Sequence, residues 1–281
     1  AFGAAGVVVL WLCCSLELVR GWLRVARYGT GSERRSVARH YTAMMVVSSA
    51  MLFVGLELLL SETGGASDFK SLAAAVVPTS AQSSIFLLLA VAIAIKAPVF
   101  PFHGWLPRVL EHGPVVGLGV FLVGIKLGLY LLLRIVVPLL PEALVTYHDV
   151  VVGFAIFGMV YGGLIALSQT DMRRLLAYAS VSHVGVVILG VMSMNVYGLQ
   201  GGYLQALSIG LAIAGLYFVA GFVHQRLGHT DSTRMGGLVQ STPLLAGAFL
   251  ITAMAAVGLP GTSGFNGEHL IIIGAYKSHW G

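Results

Sequence analysis

The chain has 281 residues, of which 57% are hydrophobic and 10% charged, with a mean hydropathy of +0.90 and a net charge of +5. Soluble domains carry about 25% charged residues, so this composition excludes a water-soluble core and points to a polytopic membrane protein. The positive balance fits loop charge on one side of a membrane, not nucleic-acid binding, since no basic run is interleaved with exposed aromatics.

Hydropathy predicts spanning helices near 2–27, 40–60, 80–105, 114–135, 149–168, 179–195, 199–224 and 243–278. Each runs for 17 residues or more and is mostly apolar, enough to cross a hydrocarbon core of about 30 Å. The first contains the adjacent Cys13 and Cys14, read as buried small hydrophobes. It also carries Glu17, followed by Arg20, Arg24 and Arg27. Glu57 lies late in the second span and is assigned no role.

The third span ends on Lys96 and runs straight into APVFPFHGWLP, where Pro98 and Pro101 break the helix. Lys126 lies inside the fourth span, within GVFLVGIKLGLYLLL. An ammonium at mid-bilayer costs roughly 2.5–3.5 kcal/mol even on lenient scales, so a chain keeps one where it faces protein, a carboxylate or a wet cavity. The last predicted span is too long for one helix and contains GLPGTSGFNGE, with Pro260 among glycines ahead of Glu268. It is expected to be interrupted. Backbone freed by such breaks must be buried in protein or face water. Paired breaks are the mark of a transporter built from inverted repeats, expected here as halves 1–135 and 136–281.

Connecting segments alternate in charge. Arg20, Arg24, Arg27, Arg34, Arg35 and Arg39, then Arg108, then Arg173 and Arg174, then Arg226 and Arg234 fall on one side. Lys70 and Lys277 fall on the other, with Arg134 at a helix end. The arginine-rich side is expected to be cytoplasmic. The fold class expected is therefore all-α, a transmembrane helix bundle with inverted repeats and two broken helices. Scattered histidines and unclustered carboxylates predict no metal site. No phosphate loop, nucleophile elbow or dinucleotide fingerprint is present.

At KAPVFPFHGWLP, GIKLGLYLLLRIVVPLLPEA, QTDMRRLLAYASVSHVG and GLPGTSGFNGE, in that order, the chain resembles the antiporter-like membrane subunits of respiratory complex I, of the subunit M or chain 4 type. The resemblance covers essentially the whole chain. It implies a fourteen-helix family fold of which helices 5 to 12 are present, so the chain is expected to be a fragment. It implies proton translocation driven by quinone reduction elsewhere in a multisubunit complex, no cofactor in this subunit, and other membrane subunits, the lipid bilayer and protons or sodium ions as partners. It also implies a multi-pass protein of the bacterial cytoplasmic membrane. By motif, Glu17 matches the family's helix-5 glutamate, Lys96 the broken-helix-7 lysine, Lys126 the helix-8 lysine, and Glu268 the broken-helix-12 glutamate. His103 and His183 also match family positions.

Each assignment has a plainer competitor. Lys96 is expected to load and release a proton, against snorkelling to the interface. Glu17 is expected to bias Lys96, against a headgroup-level pair with Arg20 at i+3. Glu268 is expected to gate an exit, against a charge stabilised at a helix start. His183 and His103 suit a proton relay, and serve equally as hydrogen-bonding groups. His269 is read as an incidental neighbour and His229 as a solvated loop residue. Asp171, Arg173 and Arg174 are read as a structural anchor. Ser208 and Ile209 stand where the family usually has a histidine, so a central relay is expected to run through water, Ser208 or another side chain, or to be broken. The alternatives to a complex I subunit are a cation/proton antiporter or membrane-bound hydrogenase subunit, and a degenerate structural membrane module.

Overall fold

The computed structural model describes residues 6–114, 118, 122, 124 and 126–280. The start of the first predicted span and part of the fourth lie outside the described residues. The described chain is all helix and connection. Its helices are α1 (Val7–Tyr28), α2 (Arg34–Glu62), the short α3 (Phe69–Ala74), α4 (Thr79–Lys96), α5 (Trp105–His112), α6 (Leu127–Leu139), α7 (Pro141–Leu167), α8 (Met172–Met192), α9 (Val196–Leu227), the short α10 (Leu238–Ser241), α11 (Pro243–Ala256) and α12 (Ser263–Trp280). Among them α2, α4, α7, α8 and α9 are long and apolar enough to cross a membrane. α6 and α11 are shorter apolar helices. The outward faces are apolar, as in Leu16, Phe157, Leu164, Leu211 and Ile251, which fits a lipid surround and is the reverse of a soluble fold.

Both predicted interruptions are present. α4 stops at Lys96 because Pro98 and Pro101 lack the N–H a further turn needs, and because a residue before proline avoids the helical region. The Phe100–Pro101 peptide is cis. The chain then makes a single 3₁₀ turn, Phe102–Gly104, and resumes as α5. The Trp105 indole N–H donates to the Ile95 carbonyl at 2.9 Å, satisfying an acceptor that the broken helix leaves open. α6 crosses directly over this break. A side chain on Gly128 would meet the Ala97 backbone N at 2.9 Å, so only glycine lets the two backbones touch. Farther along, α6 loosens into a π turn at Leu132–Val136.

The second interruption separates α11 from α12. Gly258 (φ 70°) and Gly261 (φ 95°) flank Pro260 in the left-handed region that favours glycine. The helix boundaries differ from hydropathy in a consistent way. α2 begins at Arg34 and α7 at Pro141, each extending beyond its apolar run, because helical hydrogen bonding continues through polar residues outside the hydrocarbon.

Buried apolar side chains form two separate clusters. One holds Leu10, Cys14, Leu52, Leu56, Ile93, Leu127, Val184 and Ala206. The other holds Val25, Tyr41, Met45, Ile95, Leu122, Val181, Ile209 and Ile213. Along α1, α2, α4, α8 and α9 the sequence passes from one cluster to the other, and at the crossing it places a polar residue: Glu17 in α1, Ser48 in α2, Lys96 in α4, His183 in α8, Gln205 and Ser208 in α9. The bundle is two apolar slabs with a polar seam between them.

Candidate functional site: the polar seam

Glu17 and Lys96 meet at one end of the seam. The Lys96 Nζ lies 3.8 Å from Glu17 Oε2, and it donates to the Cys14 carbonyl at 3.4 Å. The Lys96 side chain is 8% exposed and that of Glu17 23%, so the pair is largely removed from solvent. Among the described residues Glu17 pairs with Lys96 and not with Arg20. The helix break places Lys96 at a C-terminus, where backbone carbonyls favour a cation. The Glu17 carboxylate also rests against Gly124, in the segment that leads to Lys126, and a Cβ there would collide with it.

Lys126 sits at the start of α6, partly buried. Its side chain runs along α9 beside Gly210, where an added Cβ would meet Cε at 3.4 Å. Among the described residues no carboxylate lies within ion-pair distance of it. His183, on α8, places Nδ1 3.9 Å from Glu268 Oε1.

Glu268, on the first turns of α12, is held by a residue the sequence analysis passed over. Gln205 is 0% exposed, and its Nε2 donates to Glu268 Oε1 at 2.8 Å. The signal was available: an amide inside an apolar spanning helix is costly without a partner. Gly258 makes room for the carboxylate, since a Cβ there would stand 2.5 Å from Oε2. The break thus shapes the pocket for Glu268, as the first break positions Lys96.

The remaining candidates fall elsewhere. His103 is buried beyond the first break, among Phe100, Tyr161 and Tyr178, with ring centroids 5.7, 5.3 and 6.2 Å away. Its Nδ1 has no protein partner among the described residues, and no other candidate residue is in contact with it. Ile209 is fully buried in the second apolar cluster. Ser208 donates to the Ser263 carbonyl at 3.0 Å, closing the start of α12. His269 is exposed and stacks on Phe265. Asp171 caps α8 by accepting from the Arg173 and Arg174 amides at 2.9 and 3.2 Å, and it bonds the Thr230 hydroxyl. Arg173 reaches the same hydroxyl at 3.3 Å, while Arg174 pairs with Glu111 at 3.8 Å. These contacts tie α8 to the 228–234 loop and to α5. His229 departs from its expected solvated setting: its Nδ1 is buried because that loop is clamped onto the start of α8.

Among the described residues no group of three or more histidine, cysteine or acidic side chains is placed to hold a metal ion. What the seam can do chemically is hold and pass protons. It contains two amines, two carboxylates and an imidazole, with Glu17 paired to Lys96 and His183 beside Glu268.

A family described as NADH:quinone oxidoreductase/Mrp antiporter, TM, matches residues 4–281. NADH-quinone oxidoreductase subunit M of Mycobacterium tuberculosis is 31% identical over 288 residues, covering 99% of this chain and 52% of that protein. A chain of respiratory complex I from Thermus thermophilus with bound NADH superposes with a TM-score of 0.93 at 34% identity, covering 99% of this chain and 60% of that one. A chain of the Mrp complex from Dietzia sp. DQ12-45-1b gives 0.86 at 26% identity, covering 98% and 52%. The chain spans about half the length of the curated relatives it matches. On its fold, its spanning helices and this match along nearly the whole chain, the protein is a multi-pass integral membrane protein that belongs to the NADH:quinone oxidoreductase/Mrp antiporter transmembrane family.

Proposed function

We propose that this chain is the core of a proton-translocating, antiporter-like subunit of a complex I-type NADH:quinone oxidoreductase in a bacterial cytoplasmic membrane, working beside other membrane subunits. The observation that carries this reading is the seam itself: Glu17 and Lys96 at 3.8 Å, Lys126 lying along α9 beside Gly210, and His183 3.9 Å from Glu268. Isolated charges between two apolar slabs cost stability, and a chain retains a row of them where their protonation changes are used. The likeness to a subunit M and to a complex I chain supports the assignment.

In this reading residues 1–135 and 136–281 are the two inverted halves, each contributing one broken helix. Glu17 sets the proton affinity of Lys96. When Glu17 is neutralised, Lys96 loses its counter-charge and releases its proton toward Lys126. Lys126 then biases His183 and Glu268, which release the proton from the second half. His103, set apart from the seam, is assigned to water access at the first break.

The test is proton pumping by membrane vesicles carrying the full-length gene, with Lys126→Ala against wild type and with assembly and redox-centre content measured alongside. Loss of pumping with both retained is the expected result. Unchanged pumping and quinone reduction would leave a structural membrane module as the better account. The likeness to an Mrp complex chain favours one alternative, a cation/proton antiporter subunit. That reading requires transport that proceeds without NADH and depends on sodium.

A further inference from the structure

We propose that Gln205 is a positioning residue that holds Glu268 in line with His183 in both of its charge states; this rests on the proton-path reading above. The α9 and α12 backbones touch at the point where Gln205 sits. A Cβ on Gly267 would lie 2.8 Å from the Gln205 backbone N, and one on Gly201 would lie 2.7 Å from the Ile271 backbone N. With both backbones pinned by glycines, the Gln205 side chain has little freedom except at its terminal torsion.

Its hydrogen bonding is lopsided. The amide N–H donates to Glu268 Oε1 at 2.8 Å, while the amide oxygen is buried with no partner among the described residues. Buried acceptors are nearly always satisfied, and one left open calls for an explanation. A carboxamide carries a donor and an acceptor on one planar group. Its terminal torsion is broad and roughly two-fold. Ionised Glu268 is served by the N–H donated in the arrangement described. Protonated Glu268 offers an O–H, which the free amide oxygen accepts after a half-turn of that torsion. The acceptor that is idle in one state is used in the other.

The consequence lies at His183, whose Nδ1 is buried, unpartnered and 3.9 Å from the same carboxylate oxygen. Proton transfer breaks an imidazolium N–H bond of His183 and forms the Glu268 O–H, leaving neutral imidazole and a protonated carboxyl, across that gap through one water or a small ring rotation. Gln205 keeps the carboxyl group aimed at His183 before and after the transfer. A purely apolar residue would leave both states unpartnered, and a fixed cation would lock the ionised one.

The experiment uses full-length protein in its assembled complex and compares Gln205→Met, Gln205→Glu, Glu268→Gln and Lys126→Ala for proton translocation and quinone reduction across pH. Gln205→Met is expected to lower translocation roughly tenfold, the loss of one hydrogen bond to a charged group, with assembly intact. Gln205→Glu is expected to translocate at low pH, where the introduced carboxyl is protonated and keeps both donor and acceptor, and to fail as pH rises and two carboxylates face each other. A packing role alone gives no such pH rescue. Wild-type rates in Gln205→Met, or a flat pH profile in Gln205→Glu, would overturn the proposal. If Gln205→Met does not assemble, the Gln205→Glu profile decides. If Lys126→Ala and Glu268→Gln abolish translocation while Gln205→Met does not, the adaptor role alone falls. If Lys126→Ala also translocates normally, the proton-path reading falls and takes the adaptor with it.

Discussion

Gly258→Ala tests whether the second break exists to seat Glu268. Two costs are separable. A non-glycine residue at φ 70° costs about 1–2 kcal/mol in backbone strain. The new Cβ would also stand 2.5 Å from Glu268 Oε2 and 3.0 Å from Cδ, well inside ordinary contact. The carboxylate must move by about 1 Å, given carbon contacts near 3.5 Å, and that strains the 2.8 Å bond from Gln205. Losing a hydrogen bond to a charged group adds about 1.5–3 kcal/mol. Gly261→Ala supplies the control: φ there is 95°, and a Cβ meets nothing within 4 Å. Both variants therefore carry backbone strain, and only Gly258→Ala displaces the carboxylate. In vesicles from cells carrying the full-length gene, Gly258→Ala is expected to reduce proton translocation roughly tenfold relative to Gly261→Ala at equal assembly. Equal translocation by the two would refute the claim that the break shapes the Glu268 site.

Three further outcomes follow from the geometry. At 3.8 Å and an effective dielectric near 20, Glu17 and Lys96 attract by about 4 kcal/mol. Glu17→Gln and Lys96→Met singly should each reduce assembled complex on native gels, and the double variant should recover part of the loss, because the singles strand a buried charge; additive losses would mean no coupling. Gly128→Val forces a side chain into the Ala97 backbone and should destabilise the purified complex by about 1–3 kcal/mol in thermal denaturation. In the 228–234 loop, hydrogen bonds from the Thr233 hydroxyl and amide hold the Asp231 carboxyl below its usual range. A depressed value means this local order is complete above the ordinary aspartate value of about 3.9 and is lost as pH falls below it. Amide exchange at Thr233 should therefore accelerate, relative to neighbouring amides, only in that acid window.

The helices and both breaks were legible because each rests on local chemistry: apolar runs long enough for a bilayer, and prolines that stop a helix. The ionisable residues were legible for the opposite reason, since each contradicts its apolar surroundings. Partners were not legible. Glu17 has Arg20 one turn away on its own helix and Lys96 distant in sequence, and only the packing of α1 against the end of α4 selects Lys96. Ser208 stood as a relay candidate at the position beside Ile209, but its hydroxyl closes the α9–α12 junction instead. Gln205, three residues earlier, carries the polar contact that matters there, and its burial followed from a helix crossing that hydropathy does not encode.

The division of the core into two apolar clusters explains why the ionisable residues form a row. α1, α2, α4, α8 and α9 each bury an apolar face above and below the seam, and the seam is where neighbouring helices offer one another hydrogen bonds in place of lipid. Both helix breaks border it: Lys96 ends one half-helix, where backbone carbonyls favour its ammonium, and Glu268 lies beyond the other break, its carboxylate held by Gln205. In the proposed proton path His183 is the side chain between Lys126 and Glu268, since His183 lies 3.9 Å from Glu268, which Gln205 holds in turn. The continuity of the seam therefore depends on His183, and His183→Ala in the full-length protein is expected to stop translocation as completely as Lys126→Ala does, with quinone reduction and assembly measured in the same vesicles. Translocation that survives His183→Ala would place the connection on α9 and return Ser208 to the path.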